Sequence, residues 1–554
     1  MFKGKWFGKK SENKYTLENL TRLVDDLQAL REVNERIVPA LVEDFRFLAE
    51  LLVWGDKHSE RFFELFCERN VLQTFAEILD FNESNHVNVQ ILQSLSILVN
   101  NISRPTSVYY ILSNNHINYI ISFPFDFSEE EISDYYISLL KALAIQQNDS
   151  RIQFFFSEKN HEFPLYSRAL RFYNHDEGMV RTAVRTITLC IYKINEHKIL
   201  KLILKPPFVN YFAHLACHSR SLWISLDEYL LRSNGSNNLR CQDLIADQID
   251  TLYYIQDIFA LDIPELNDAI SNALLSYAIL PVLVGSICAT EVRPVINITL
   301  AIFLLLQIYH CINYKPLLNT ISATLLCPKV KGNIVEYVKK MPEAPDSYSK
   351  LWSPYEDLSS AFLKMANLDL HARAESDQEP KKKTSISDEN HDNPEVTNTI
   401  TTEEEKEKLR VIDECTRLSR NLGIRIGSSE GSFHVEGSGP IRFGEDLDNM
   451  SASEFDEDKG LQENPFRPAF LIYLNSKDDN LIMLVCTLIN KITSHQDVGQ
   501  RVLQLSKVNP IVKRKTQNIL HQLTEDSKGP SEEEPESSVI NYDIDLVESL
   551  INLL

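Results

Sequence analysis

The chain has 554 residues, 44% of them hydrophobic and 24% charged, with 16 Gly, 22 Pro and a formal net charge of −22. So few turn formers exclude a many-stranded β protein, and the acidic balance excludes a general nucleic-acid binder. Nine cysteines are scattered singly with no C-x-x-C pair, which argues against a disulfide framework or a zinc ribbon and for a reducing, cytosolic setting.

The first ten residues, MFKGKWFGKK, interleave Lys3, Lys5, Lys9 and Lys10 with Phe2, Trp6 and Phe7. No apolar core follows them, so they are not read as a secretory signal. Residues 1–14 form a basic aromatic tail. It is either a solvated end or a surface contact with anionic membrane, with lysines drawn to lipid charge and aromatics at the headgroup level.

From residue 15 to about 370, helical periodicity is nearly continuous. In 36–54 the residues Ile37, Leu41, Phe45, Leu48 and Leu52 share one face, and Gly55 is expected to stop the helix. Trp54-Gly55-Asp56 then reads as a helix end with a buried indole and a turn aspartate, or as a partner-binding point. Ile132, Tyr136, Leu139 and Leu143 repeat the pattern in 130–147, as do Val180, Val184, Ile187 and Ile191 in 177–194. Ser59 and Ser128 are expected N-caps for the helices that follow them.

Helix pairs recurring about every 40 residues, each unable to bury both faces alone, predict an all-α, armadillo/HEAT-like α-solenoid. An irregular helical bundle would show the same periodicity. Two apolar runs, 273–290 and 294–312, approach the length of a membrane span. Pro281 in the first and Asn297, Gln307 and His310 in the second favour buried core helices and no transmembrane segment.

Beyond 371 the composition shifts. Residues 372–465 read as a mostly disordered acidic linker, with a short helix expected at 408–425. Periodicity returns over 466–523 as one further helical pair. Residues 524–554 form an acidic tail in which Leu546, Val547, Leu550, Leu553 and Leu554 share one helical face. Counted by segment, the charge is about −8 over 1–370, −10 over 371–470, +4 over 471–520 and −8 over 521–554. The folded body is therefore only mildly acidic.

A search for chemistry finds no phosphate-cradling glycine loop, G-x-S-x-G, H-E-x-x-H or kinase signature, and no cofactor motif. His214, Cys217 and His218 have the i, i+3, i+4 spacing of a metal site, with Cys241 a distant fourth ligand. The preferred reading is two histidines on a solvent or groove face and a packed cysteine, with no metal. Cys67, in FFELFCERN, reads as a buried inert thiol. Nothing here supports an enzyme.

The segment from Asn160 to Tyr166 contains Phe163-Pro164-Leu165 and is followed by RALRFYNHDEGMVRTAVRTITLCIYKI. It resembles the signature of the FPL-domain family, the group that includes C-type lectin domain family 16 member A and the endosomal-maturation (Ema) proteins. The upstream stretches LLVWGDKHSERFFELFCERN and FDFSEEEISDYYISLLKAL resemble the same family in the same order. The resemblance assigns residues 15–200 to the FPL domain and 201–371 to continuing helical repeats.

It implies a non-enzymatic scaffold or regulator of endosomal and Golgi traffic, lysosomal delivery, autophagy and mitophagy, sited in the cytoplasm and peripherally on those membranes. Its partners would be trafficking and autophagy proteins. A subunit of a ubiquitin-ligase complex, or an adaptor in an unrelated pathway, is the alternative. The chain is shorter than the family's long animal members and carries no lectin cysteine framework. Physically, Pro164 is expected to interrupt a helix while Phe163 and Leu165 pin the corner. Arg181 and Arg185, four residues apart, either make intramolecular ion pairs or line a groove for acidic partner segments.

Overall fold

The structure, a computed structural model, describes residues 14–157, 162–205, 208–232, 238–289, 294–339, 424–426, 433–435 and 460–508. The candidate membrane contacts Phe2 to Lys10, most of the acidic linker and the tail lie outside these. Most of the described residues are helical, as the periodicity requires, and they form two compact units divided after Phe208.

In the first unit, α1 (Leu17–Gln28) is capped by Thr16, whose Oγ1 accepts from Asn19 N at 3.2 Å. There follow α2 (Val38–His58), α3 (Arg61–Glu68), α4 (Val71–Phe81), α5 (Asn85–Asn101), α6 (Pro105–Ser113), α7 (Asn115–Ser122), α8 (Glu130–Ile145), α9 (Pro164–Leu170), α10 (Gly178–Ile194) and α11 (His197–Ile203). The helices α2, α5, α8 and α10 stack in that order, each on the one before. They begin at residues 38, 85, 130 and 178, so the repeat spans 45 to 48 residues. Two short helices separate α2 from α5 and α5 from α8, and one short helix separates α8 from α10. The repeating element is thus a three-helix armadillo-like unit rather than a helix pair.

Both sides of α5 are covered, burying Val87, Ile91, Leu92, Leu95 and Leu98 together with Asn88, Gln90, Ser94 and Ser96. The buried polar groups stitch the layers. Gln90 Nε2 donates to Ser94 Oγ at 3.1 Å, and Ser94 Oγ donates to the Phe45 carbonyl of α2 at 3.3 Å. On the other side, Gln146 Nε2 reaches back to the Val99 carbonyl at 3.3 Å.

The second unit opens with α12 (Asn210–Arg232) and α13 (Asn238–Phe259), which run antiparallel, Tyr211 Oη meeting Tyr254 Oη at 3.0 Å. Next comes α14 (Pro264–Leu274), which continues without a break through a π-helical stretch (Leu275–Val284) into α15 (Gly285–Ile287). Pro281 lies inside the π stretch, where the wider turn accommodates its ring and its missing N–H without ending the helix. This helix, Pro264–Ile287, is long and apolar enough to cross a membrane, but 94% of its most apolar window is buried inside the protein. The second apolar run is the shorter α16 (Ile298–Cys311), packed on α13 and the π stretch. Both runs are core helices here.

After α17 (Lys315–Leu326), strand β1 (Lys329–Lys331) and α18 (Gly332–Lys339), two further strands, β2 (Ile424–Ile426) and β3 (Phe433–Val435), pair antiparallel. Of the helix expected at 408–425, the part that is described, 424–425, lies in strand β2. Strand β4 (Leu461–Glu463) pairs antiparallel with β1 in the register Lys329↔Glu463, so the end of the acidic linker returns to the helical body. Beyond it stand α19 (Phe466–Leu471), α20 (Asp479–Ser494) and α21 (Gln500–Leu505). Among the described residues of 466–523 these are three helices where one pair is expected, α20 packing on α16 and the other two on α17.

Asn464 fastens this return. Its Nδ2 donates to the Thr324 and Cys327 carbonyls at 2.8 and 2.7 Å, closing the C-terminus of α17, while its Oδ1 accepts from Phe466 N at 2.9 Å at the start of α19. The side chain is buried, so its loss leaves buried backbone groups unpaired. We expect Asn464→Ala to cost about 3 kcal/mol, and to raise amide hydrogen exchange in residues 460–508 well before the first unit responds.

Candidate interaction sites

Trp54, Gly55 and Asp56 lie within α2, which runs on to His58. Gly55 therefore does not stop the helix. A Cβ placed there would come within 2.4 Å of Phe62 Cβ, so the glycine is what lets α3 fold back against α2. Ser59, the expected cap of α3, makes no cap bond, and Glu60 stands at that position.

Trp54 is half-buried between two flat rings, Tyr15 with centroids 5.0 Å apart and His58 at 4.2 Å, with Phe62 edge-on at 5.4 Å. Beside this stack, Lys14 Nζ and Tyr15 Oη reach Glu50 Oε1 at 2.5 and 2.6 Å. Those bonds hold the Glu50 carboxyl below its usual range. The described chain thus begins on a fixed anchor. Residues 14 and 15 are pinned to the C-terminal half of α2, and the basic-aromatic tail precedes them.

Asp56 is only 1% exposed, and its reading as a partner contact gives way to an internal one. Its Oδ2 accepts from Ser103 N at 2.9 Å, Ser103 Oγ at 3.1 Å and Arg104 N at 3.3 Å, at the N-terminus of α6. Burial by itself would raise its pKa. The hydrogen bonds from Ser103, Ser107 and Arg104 outweigh burial and place the carboxyl below its ordinary value. The aspartate is a cap supplied from a neighbouring repeat, favoured further by the positive end of the α6 dipole.

The Phe163-Pro164-Leu165 corner is buried throughout. Pro164 is the first residue of α9, where a fixed φ and a missing N–H cost nothing, so it starts a helix rather than interrupting one. Phe163 stacks on Tyr166 at 5.7 Å, and Tyr166 Oη bonds Tyr192 Oη of α10 at 2.7 Å. Ser157 and Glu162 bridge the approach, exchanging backbone bonds of 2.9 and 3.1 Å. The signature is packing that joins α9 to α10.

Arg181 and Arg185 are half-buried on one ridge of α10. Arg181 Nη1 donates to the carbonyls of His175 and Asp176 at 2.8 and 2.7 Å, tying down the loop before its own helix. Arg185 is likewise engaged within the protein. At the same helix end sits a feature the periodicity did not reveal. Glu177 lies against Glu130 and Asp134 of α8, and the hydrogen bond with Glu130, followed by burial and the two neighbouring charges, pushes its pKa up to about 7.

His214 and Cys217 are both buried, so His214 is not on a solvent or groove face as expected. Burial lowers the His214 pKa to about 3 and raises that of Cys217 to about 11. Burial, then Glu64 and Glu68, raises Cys67 to about 11 as well. Among the described residues no group of three or more His, Cys, Asp or Glu is placed to hold a metal ion.

What this arrangement defines is a helical-repeat protein whose named residues serve packing, capping and loop-tying. Residues 45–192, containing the α2 junction, the corner and most of α10, match the FPL family, described as an uncharacterised conserved protein. Residues 236–433 match the CLEC16A helical domain. The chain belongs to the FPL-domain family that includes CLEC16A.

Protein CLEC16A of Mus musculus is 37% identical over 356 residues, which is 62% of this chain and 34% of that protein. Protein CLEC16A of Homo sapiens is 38% identical over 325 residues, covering 58% and 31%. Protein TRANSPARENT TESTA 9 of Arabidopsis thaliana is 33% identical over 327 residues, covering 57% and 39%. The chain spans about a third of the length of these curated relatives.

Two outcomes test these assignments. Asp56→Ala is expected to cost about 2 kcal/mol, read by chemical denaturation. Because the folded pKa lies below 3.8, the difference from the parent chain should be constant from pH 8 to 5 and shrink only as pH falls below about 4. Glu177 carries the opposite sign, since its folded pKa is raised from 4.5 to about 7. Its charged form is disfavoured in the fold, so stability falls as pH rises through that window. Glu177→Gln should raise the Tm at pH 8 and leave it unchanged near pH 4.5.

Proposed function

We propose that this protein is a non-enzymatic scaffold or regulator of endosomal and Golgi membrane traffic that promotes lysosomal delivery and autophagy, including mitophagy. The observation that carries this reading is the succession of an FPL domain and a CLEC16A helical domain in one chain. Stacked helical repeats offer long ridges for protein–protein contact. Cys67, half-buried where a buried thiol is expected, and the buried Cys217 both have thiols pushed up to about 11, which suits them poorly to nucleophilic work.

In this reading the protein works in the cytoplasm, held to endosomal, lysosomal or Golgi membranes by partner proteins. The basic-aromatic residues Phe2, Lys3, Lys5, Trp6, Phe7, Lys9 and Lys10 add a weak contact with anionic lipid. One such peptide binds only marginally by itself, so protein contacts carry most of the attachment.

Proximity labelling in cells, with a biotin ligase fused to the full chain, tests the reading. The expected result is enrichment of endosomal, Golgi and autophagy proteins over a cytosolic control. Absence of that enrichment would overturn it, and labelling dominated by ubiquitin-ligase subunits would favour a role within such a complex instead.

A further inference from the structure

The end of the α12–α13 pair leaves aliphatic side chains uncovered. Residues 228–232 of α12 and 239–247 of α13 include no buried residue, yet they carry Leu230, Leu231, Leu239, Leu244 and Ile245. Leu239 is 71% exposed and Leu231 63%. Elsewhere in α13, leucine and isoleucine are packed, as at Leu252, Ile255 and Ile258. Exposed aliphatic side chains gathered on one helix end mark a contact surface rather than a solvated face.

The outward ridge of α13 adds a charge pattern to this surface. Asp243, Asp250 and Asp257 are exposed and stand seven residues apart, about 10 Å from one to the next along the axis. Between them on the same ridge lie Ala246 and Tyr253, the latter 51% exposed, and Leu239 stands one turn before Asp243. Aspartate is a poor helix former, and three of them on an exposed ridge weaken the helix without any gain in packing. Among the described residues no cation pairs with these three carboxylates.

We propose that this ridge docks an amphipathic helix of a partner protein, one that presents lysine or arginine at seven-residue spacing with apolar residues between. The aliphatic end supplies the buried area and the aspartate row supplies register and sign. A solvated face would have no use for the leucines, and an anionic bilayer would be repelled by the aspartates. The proposal stands apart from the trafficking reading, since the binding is measured with purified components and does not depend on compartment.

The probe is a labelled 21-residue peptide of three heptads, each with one lysine and two leucines on a single face, titrated against the full chain by fluorescence anisotropy. A scrambled peptide and one with glutamate in place of lysine serve as controls. We expect the lysine peptide to bind, with Kd at least tenfold higher for the triple variant D243N/D250N/D257N and a similar loss for Leu239→Ser. Asparagine keeps the shape at the aspartate sites, and circular dichroism checks that each variant folds. The proposal is overturned if the control peptides bind equally or if the triple variant binds unchanged. It is overturned too by a dimer in sedimentation velocity that Leu239→Ser dissociates, or by flotation with phosphatidylcholine–phosphatidylserine vesicles that Leu239→Ser abolishes. Those two outcomes would assign the leucines to a second copy or to lipid.

Discussion

A helix with apolar residues on two sides has no stable place at the edge of a single layer. In α5 the side turned to α2 and the side turned to α8 are both buried, and the same need passes along to α8 and α10. Each repeat is completed only by its neighbour, which is why such units stack instead of folding singly. Everything of interest in the first unit hangs on this ladder. The Trp54 stack, the Asp56 cap and the Phe163 corner are all places where one layer is fixed to the next.

Polar groups then set the layers in register. Apolar contact is non-directional and would tolerate sliding, whereas a buried carboxylate or amide has defined partners and is costly to leave unpaired. Asp56 reaches from α2 to the start of α6, and Asn464 reaches from the returning strand to the end of α17. Both close helix ends with a side chain from distant sequence. Arg181 does the same locally, for the loop that leads into α10. The family signature therefore reads as a record of how the repeats lock together.

Much of this is legible in the residue pattern itself. The helices at 36–54, 130–147 and 177–194 appear at Val38–His58, Glu130–Ile145 and Gly178–Ile194, because a 3.6-residue apolar period reports directly on a buried face. Polar residues within 273–312 rightly favoured core helices. Punctuation was less reliable. In sequence Gly55 and Pro164 look like breaks, yet one allows a close helix crossing and the other begins a helix. Pro281 stays within a helix by widening it. Glycine and proline have several structural uses, and only the neighbours of each residue say which one applies. The three-helix repeat looks like a pair in sequence because the short helices that follow α2 and α5 carry few turns in which to show a period.

By itself the sequence determined the helical class, the faces that turn inward and the resemblance that names the family. These depend on local spacing and on contiguous motifs. Tertiary structure alone decided that Asp56 is a cap, that His214 is buried, that residues 461–463 return to pair with 329–331, and that the α13 ridge stands uncovered. Each of those is a statement about which distant surfaces meet, and periodicity along one helix carries no information about what lies across from it.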